Sequence, residues 1–182
     1  MEGEKHVVAH LTGPSRVNPR ILDAMDRDEI VRVLRAFHDA GLEYTLIGAT
    51  AMGVHGLVRA TEDIDLFIKA TPENVDRLRA ALVAVYEQDP SVADISTADL
   101  LGEYPAIRYY PPTGDLYFDI ITRLGDAATF ETVARELKEV SGVMVSVATP
   151  AALYRMKKNT VRAKDRQDAT ALRERFQLED DQ

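Results

Sequence analysis

Apolar positions along the chain recur with two different periods, and the switch between them marks out the elements. From Ile21 through Leu22, Met25, Ile30, Val33, Leu34 and Phe37 the spacing is roughly helical, which predicts an amphipathic helix. Asn18 can cap it, Pro19 suits its first turn and Gly41 stops it. Ahead of it, residues 1–18 mix Gly13, Pro14 and polar residues without a period, which predicts a loosely held arm. Tyr44 to Ile47 is a short apolar run ending at Gly48, the pattern of a buried strand entering a turn, and a short helix from about Thr50 to His55 is expected next. Ile64 to Ile68 predicts a second strand. Thr71 then caps, and Pro72 opens, a helix whose inward face is Val75, Leu78, Leu82 and Val85.

Tyr104 to Tyr110 and Leu116 to Thr122 flank Pro111, Pro112, Thr113 and Gly114, a hairpin signal that makes part of the sheet antiparallel and the sheet as a whole mixed. Glu131 to Val140 predicts a helix and Val143 to Val147 a strand. Thr149 and Pro150 open a last helical stretch to about Phe176, broken near Lys164. These elements describe an α/β (α+β) fold: a mixed sheet flanked by helices over 19–148, with a C-terminal helical part over 149–182 packed on it as a single domain.

Composition narrows the function classes. A chain of 182 residues that is 46% apolar and 29% charged can bury one core. No apolar run approaches the roughly 18 residues that span a bilayer. The first residues lack the basic-then-apolar pattern of a secretory signal, and there is no cysteine, so a cytoplasmic protein is expected. A net charge of −8 argues against whole-surface binding of nucleic acid and leaves a local basic patch as the route to it.

The candidate chemistry lies in acids within apolar strands. Alternate side chains of a strand share a face, so Asp63 and Asp65 project together while Ile64, Leu66 and Ile68 pack the other side. Two adjacent carboxylates repel unless a cation lies between them, and hard oxygen donors select Mg²⁺. Two solvated acids at a strand edge would leave the same pattern. Asp119 stands inside the apolar run Tyr117 to Ile121, where a charge needs a partner. If its strand adjoins that of Asp63 and Asp65, it can bridge a second ion or accept the proton of an attacking hydroxyl; taken alone it reads as an edge-strand residue or a salt-bridge member. Asp94, Asp99 and Asp115 are rival third acids in looser sequence. Gly48 and Ala49, between a strand and a helix, let backbone N–H groups approach phosphate, and Thr50 adds a hydroxyl.

Leu46-Ile47-Gly48-Ala49-Thr50-Ala51-Met52-Gly53-Val54-His55-Gly56, followed by Arg59, Thr61 and Asp63-Ile64-Asp65-Leu66-Phe67, resembles the signature of the nucleotidyltransferase superfamily. A second match, Leu153-Tyr154-Arg155-Met156-Lys157 with Arg162, Lys164-Asp165 and Asp168, resembles a later helical motif of abortive-infection nucleotidyltransferase toxins. The resemblance covers about 44–68 and 149–172 and departs from the family at Ala49, where Gly or Ser is usual. It implies a nucleotidyltransferase fold, with Gly48, Ala49 and Thr50 at the triphosphate, Asp63, Asp65 and Asp119 on Mg²⁺, and Lys157 on the nucleotide phosphates.

Asp165 and Asp168 share helical spacing with Ala169, Leu172 and Phe176, an inward face on which acids need cations. Lys157, Arg162 and Lys164 can supply them, or meet phosphate, or be solvated. His55 is expected to pack, and His6, His10 and His38 show no ligand spacing. The expected activity is transfer of a nucleoside monophosphate from an NTP to an acceptor hydroxyl. An RNA such as tRNA is favoured as acceptor over a protein or an aminoglycoside, and the family implies a cognate antitoxin. A noncatalytic nucleotide- or partner-binding module is the alternative of a different class.

Overall fold

A computed structural model describes residues 27–179 apart from 59, 62, 88, 104, 115 and 125–127. Helix α1 spans Arg27–Asp39 and buries Ile30, Val33, Leu34 and Phe37, the stripe read from the sequence. The start expected at Pro19, like the arm over 1–18, lies outside the described residues. Gly41 takes φ +64° after the helix, a left-handed turn that glycine adopts without steric cost. Strand β1 is Tyr44–Ile47, buried throughout, and α2, Gly48–Val54, follows with no linker. That helix begins at Gly48 rather than Thr50. Strand β2 is Asp63–Ile68, and α3, Pro72–Val85, carries its expected cap, with Thr71 accepting from the Asn74 N–H.

A short 3-10 turn, Pro90–Asp94, and α4, Thr97–Leu101, lead to the hairpin of β3, Ala106–Tyr109, and β4, Tyr117–Ile121. The two-residue strands β5, Arg123–Leu124, and β6, Ala128–Thr129, pair separately. Next come β7, Arg135–Val140, and β8, Val143–Ala148, then α5, Pro150–Lys158, and α6, Ala163–Phe176. The helical break falls at 159–162, ahead of Lys164.

The segment expected as a helix over Glu131–Val140 is corrected: its second half is strand β7. Its Glu, Leu and Lys residues favour helix, but Ser141 and Gly142 both take positive φ, +50° and +80°, as a two-residue hairpin turn requires. The chain is thereby folded back on β8 in full register, Val140 against Val143 through Arg135 against Ala148. Ladder bonds outweigh the small propensity differences among these residues.

The main sheet runs β3-β4-β2-β1-β8-β7, with β2 parallel to β4, β1 parallel to β8 and the remaining pairs antiparallel. One face carries Ile64, Leu66, Phe118 and Ile120 into a core closed by α1 and α3, where Phe37 meets Phe118 edge to face at 6.3 Å. Burying each such side chain contributes about 1.5–3 kcal/mol. The opposite face keeps the acids.

Asn74, fully buried at the start of α3, clamps the end of the β1–β2 ladder. Its Oδ1 accepts from the Glu43 N–H at 2.9 Å, and its Nδ2 donates to the carbonyls of Glu43 at 2.9 Å and Lys69 at 3.0 Å. Asn74→Ala strands these backbone groups away from water and should cost about 2–4 kcal/mol. Chemical denaturation should show a lower midpoint at an unchanged slope, and a loss under about 0.5 kcal/mol would contradict the clamp.

Candidate active site

Parallel pairing of β2 with β4 places Asp65 directly beside Asp119, and Asp63 beside Tyr117. Since i and i+2 share a face, Asp63, Asp65 and Asp119 converge, and one carboxylate oxygen from each lies within 4.8 Å of the others. All three are partly exposed. Three hard anionic donors at this spacing fit a divalent cation that keeps water and phosphate as its remaining ligands. Thr61 holds one Asp63 oxygen through its hydroxyl.

Gly48 makes the convergence possible. It takes φ +63°, and a Cβ built there would stand 1.7 Å from Asp65 Oδ2. The glycine thus serves both the turn from β1 into α2 and the space Asp65 occupies. The first turn of α2 has no side-chain cap. Ala49 is buried, and the Thr50 hydroxyl, also buried, donates to the Asp63 carbonyl at 3.1 Å. Thr50 therefore anchors the start of β2 with the group expected to face phosphate.

Sequence reasoning passed over Arg108. It lies opposite Asp119 in the β3–β4 register, and its Nε and one terminal nitrogen donate to the two Asp119 oxygens at 2.6 and 2.8 Å. Its guanidinium also stacks over Tyr117, 4.7 Å from the ring centroid. Hydrogen bonding to Asp119, then to Tyr110, raises the arginine pKa, so the cation is secure. Counting outward from the Pro111–Gly114 turn sets Arg108 opposite Tyr117, two residues short of the observed register, so the sequence held no direct signal for this contact.

The wall opposite β3 comes from α5 and α6. Of the roles open to Lys157 from the sequence, the structure shows the pairing with the α6 acids, and it leaves the residue only 8% exposed. Lys157 Nζ lies 2.9 Å from both Asp165 Oδ1 and Asp168 Oδ2, and Asp168 is itself buried. The cation is drawn inward by the two acids of the α6 inner face. Burial pushes the Asp165 carboxyl up, but the hydrogen bond and charge of Lys157, with the Thr160 hydroxyl, hold it below its ordinary value. Arg162 and Lys164 remain exposed and line, with Lys157, Gly48 and the three acids, one cleft of about 580 Å³.

The rivals lie elsewhere. Asp94 and Asp99 are exposed on the 3-10 turn and α4, and Asp115 lies outside the described residues. His55 is packed: its Nε2 is 2.8 Å from the Ala148 carbonyl, and burial lowers its pKa. His38 is exposed in the last turn of α1, while His6, His10 and Arg59 lie outside the described residues.

A family model described as "Nucleotidyl transferase AbiEii toxin, Type IV TA system" matches residues 32–175, which include every residue placed in the cleft. Among solved structures, an antigenic nucleotidyltransferase-like protein from Paracoccidioides brasiliensis aligns with a TM-score of 0.51 at 16% identity, over 81% of this chain and 75% of that one. At that identity the likeness concerns the fold, a nucleotidyltransferase-like mixed α/β arrangement. No curated protein matches the chain.

Gly48→Ala forces a side chain into the left-handed region and against Asp65, so it should lower thermal stability by about 1–2 kcal/mol or more. A melting temperature within a degree of wild type would show that Asp65 yields without cost. Lys157→Met leaves buried Asp168 without its cation and should cost about 3 kcal/mol at neutral pH. Because the folded pKa of Asp165 is depressed, its pairing contributes above the unfolded carboxyl value of about 4 and is lost as pH falls through the folded one. The stability gap between wild type and Lys157→Met, followed by denaturation at several pH values, should therefore narrow below about pH 4. A gap constant with pH would contradict the pairing.

Proposed function

The chain belongs to the AbiEii nucleotidyl transferase toxin family of type IV toxin–antitoxin systems, and from that premise we propose that it moves a nucleoside monophosphate from an NTP onto an RNA hydroxyl. tRNA is the favoured acceptor, Mg²⁺ the ion, the cytoplasm the place of action and a cognate antitoxin the restraining partner. The observation that carries the reading is the convergence of Asp63, Asp65 and Asp119 on a cleft whose other wall presents cations. In this reading the core over 19–148 and the helices after 149 act as one unit.

Within this proposal, the triphosphate lies beside Gly48 at the start of α2, whose first turn carries no side-chain cap. Arg162 and Lys164 neutralise its outer oxygens. Lys157 donates one N–H to Asp165 and forms an ion pair with Asp168, and in this reading it also serves a phosphate. Asp63 and Asp65 hold Mg²⁺, which when bound offsets the charge of the phosphates and of the leaving pyrophosphate. The acceptor oxygen bonds to the α-phosphorus as the bond from that phosphorus to the bridging oxygen of the β-phosphate breaks. Pyrophosphate departs on the opposite side, and a carboxylate oxygen of Asp119 takes the acceptor proton. Arg108 orients that carboxylate.

Asp63→Asn and Asp65→Asn should each lower Mg²⁺-dependent transfer of label from NTPs about a thousandfold, equivalent to several kcal/mol of lost charge stabilisation. The fold should persist, since each change relieves repulsion among the acids. Undiminished transfer by both variants would overturn the assignment. Label in polypeptide, or only in an added aminoglycoside, would keep the chemistry and replace the acceptor. NTP binding without any transfer would favour a noncatalytic module.

A further inference from the structure

Beyond the acids, the site face continues outward along the sheet edge as an aromatic surface. Tyr117 precedes Asp119 by two residues on β4 and so shares its face, and its register partner is Asp63. Arg108, opposite Asp119, covers Tyr117 at 4.7 Å. Tyr110, just past the end of β3, lies with its ring centroid 5.4 Å from that of Tyr117 at an interplanar angle of 35°. It is 61% exposed, among the most exposed large side chains described. The core aromatics Phe37, Tyr86, Tyr109 and Phe118 pack into one another, whereas this pair opens to solvent beside the catalytic face.

The order of strands gives the surface a side. Across the sheet the site groups succeed one another as Arg108 on β3 with Tyr110 just beyond it, Tyr117 and Asp119 on β4, Asp63 and Asp65 on β2, and Gly48 after β1. In the sheet, Gly48, the expected triphosphate contact, thus lies on one side of the acids and the aromatic pair on the other. In-line transfer needs the leaving pyrophosphate and the attacking hydroxyl on opposite sides of the α-phosphorus. The aromatic side is the acceptor side.

We propose that Tyr110, with Tyr117 and Arg108 beneath it, is a stacking platform for an unpaired base of the RNA acceptor, the nucleotide that carries or adjoins the attacking hydroxyl. The proposal rests on the RNA reading of the preceding section and specifies how that acceptor is gripped. Exposed tyrosine and a ring-covering guanidinium offer a π surface of the kind on which single-stranded bases stack without sequence-specific hydrogen bonds. It also accounts for acceptor recognition by a chain of net charge −8, because stacking holds a base without a broad cationic surface.

The chain has no tryptophan, so Tyr110→Trp installs a single indole reporter at the platform. With Mg²⁺ present, a short unstructured RNA oligonucleotide should quench that fluorescence, while the same RNA annealed in a blunt duplex, or an NTP alone, should not. Tyr110→Ala should weaken RNA binding, or raise the acceptor KM, about ten- to a hundredfold and leave the KM for NTP unchanged, with Tyr110→Trp restoring it. Quenching by NTP alone would assign the platform to the donor base and overturn the proposal. Unquenched indole fluorescence in the Tyr110→Trp variant, or an unaltered acceptor KM in Tyr110→Ala, while the wild type still labels RNA would overturn the platform and leave the RNA reading standing. Failure of the wild type to bind or label RNA would remove both.

Discussion

Like charge is the constraint around which this protein is organised. Two carboxylates two residues apart on β2 and a third directly beside them on β4 would repel, and the parallel register that brings them together offers no way to turn one aside. Every neighbour of the trio moderates that repulsion. Arg108 takes both oxygens of Asp119, Thr61 donates to Asp63, and Gly48 surrenders its side chain so that Asp65 has room. What remains is an anionic pocket that a hydrated divalent cation complements, and the same geometry that costs stability supplies the site.

The opposite wall answers the same problem with different means. Asp165 and Asp168 are needed on the inner face of α6 only because Lys157 reaches between them from α5, and the three form a compact charged joint between those helices. A lysine engaged in this way is not a freely mobile surface cation. It sets how α5 and α6 meet and where Arg162 and Lys164, at the junction between them, emerge at the cleft. Under the proposed function, structural pairing and phosphate binding would meet in this single residue.

The rest of the fold holds these two walls at a working distance. Asn74 clamps the β1–β2 ladder at the end away from the acids, and the packed aromatics under β4 hold the strand that carries Asp119. Edge strand β7, distant from the acids in the sheet, leaves Leu137 63% exposed. Ile64, Leu66 and Phe118, all fully buried, lie on the face of β2 and β4 opposite the three acids.

The sequence by itself determined what is local. Helical stripes, the Thr71–Pro72 cap, the Gly41 stop and the Pro111–Gly114 hairpin are short-range choices, and the shared face of Asp63 and Asp65 is an i, i+2 relation within one strand. It also marked Asp119, because a charge inside an apolar run is costly wherever that run packs. Tertiary structure decided everything that depends on which strand adjoins which. The parallel β2–β4 neighbourhood made three acids one cluster, the hairpin register set Arg108 on Asp119, and pairing with β8 turned the helix-prone Arg135–Val140 into a strand. Among the roles open to Lys157, the packing of α5 on α6 selected the buried partner for the same reason. Register and long-range charge pairing are energies of assembly, shared between segments far apart in the chain, and no single segment carries them.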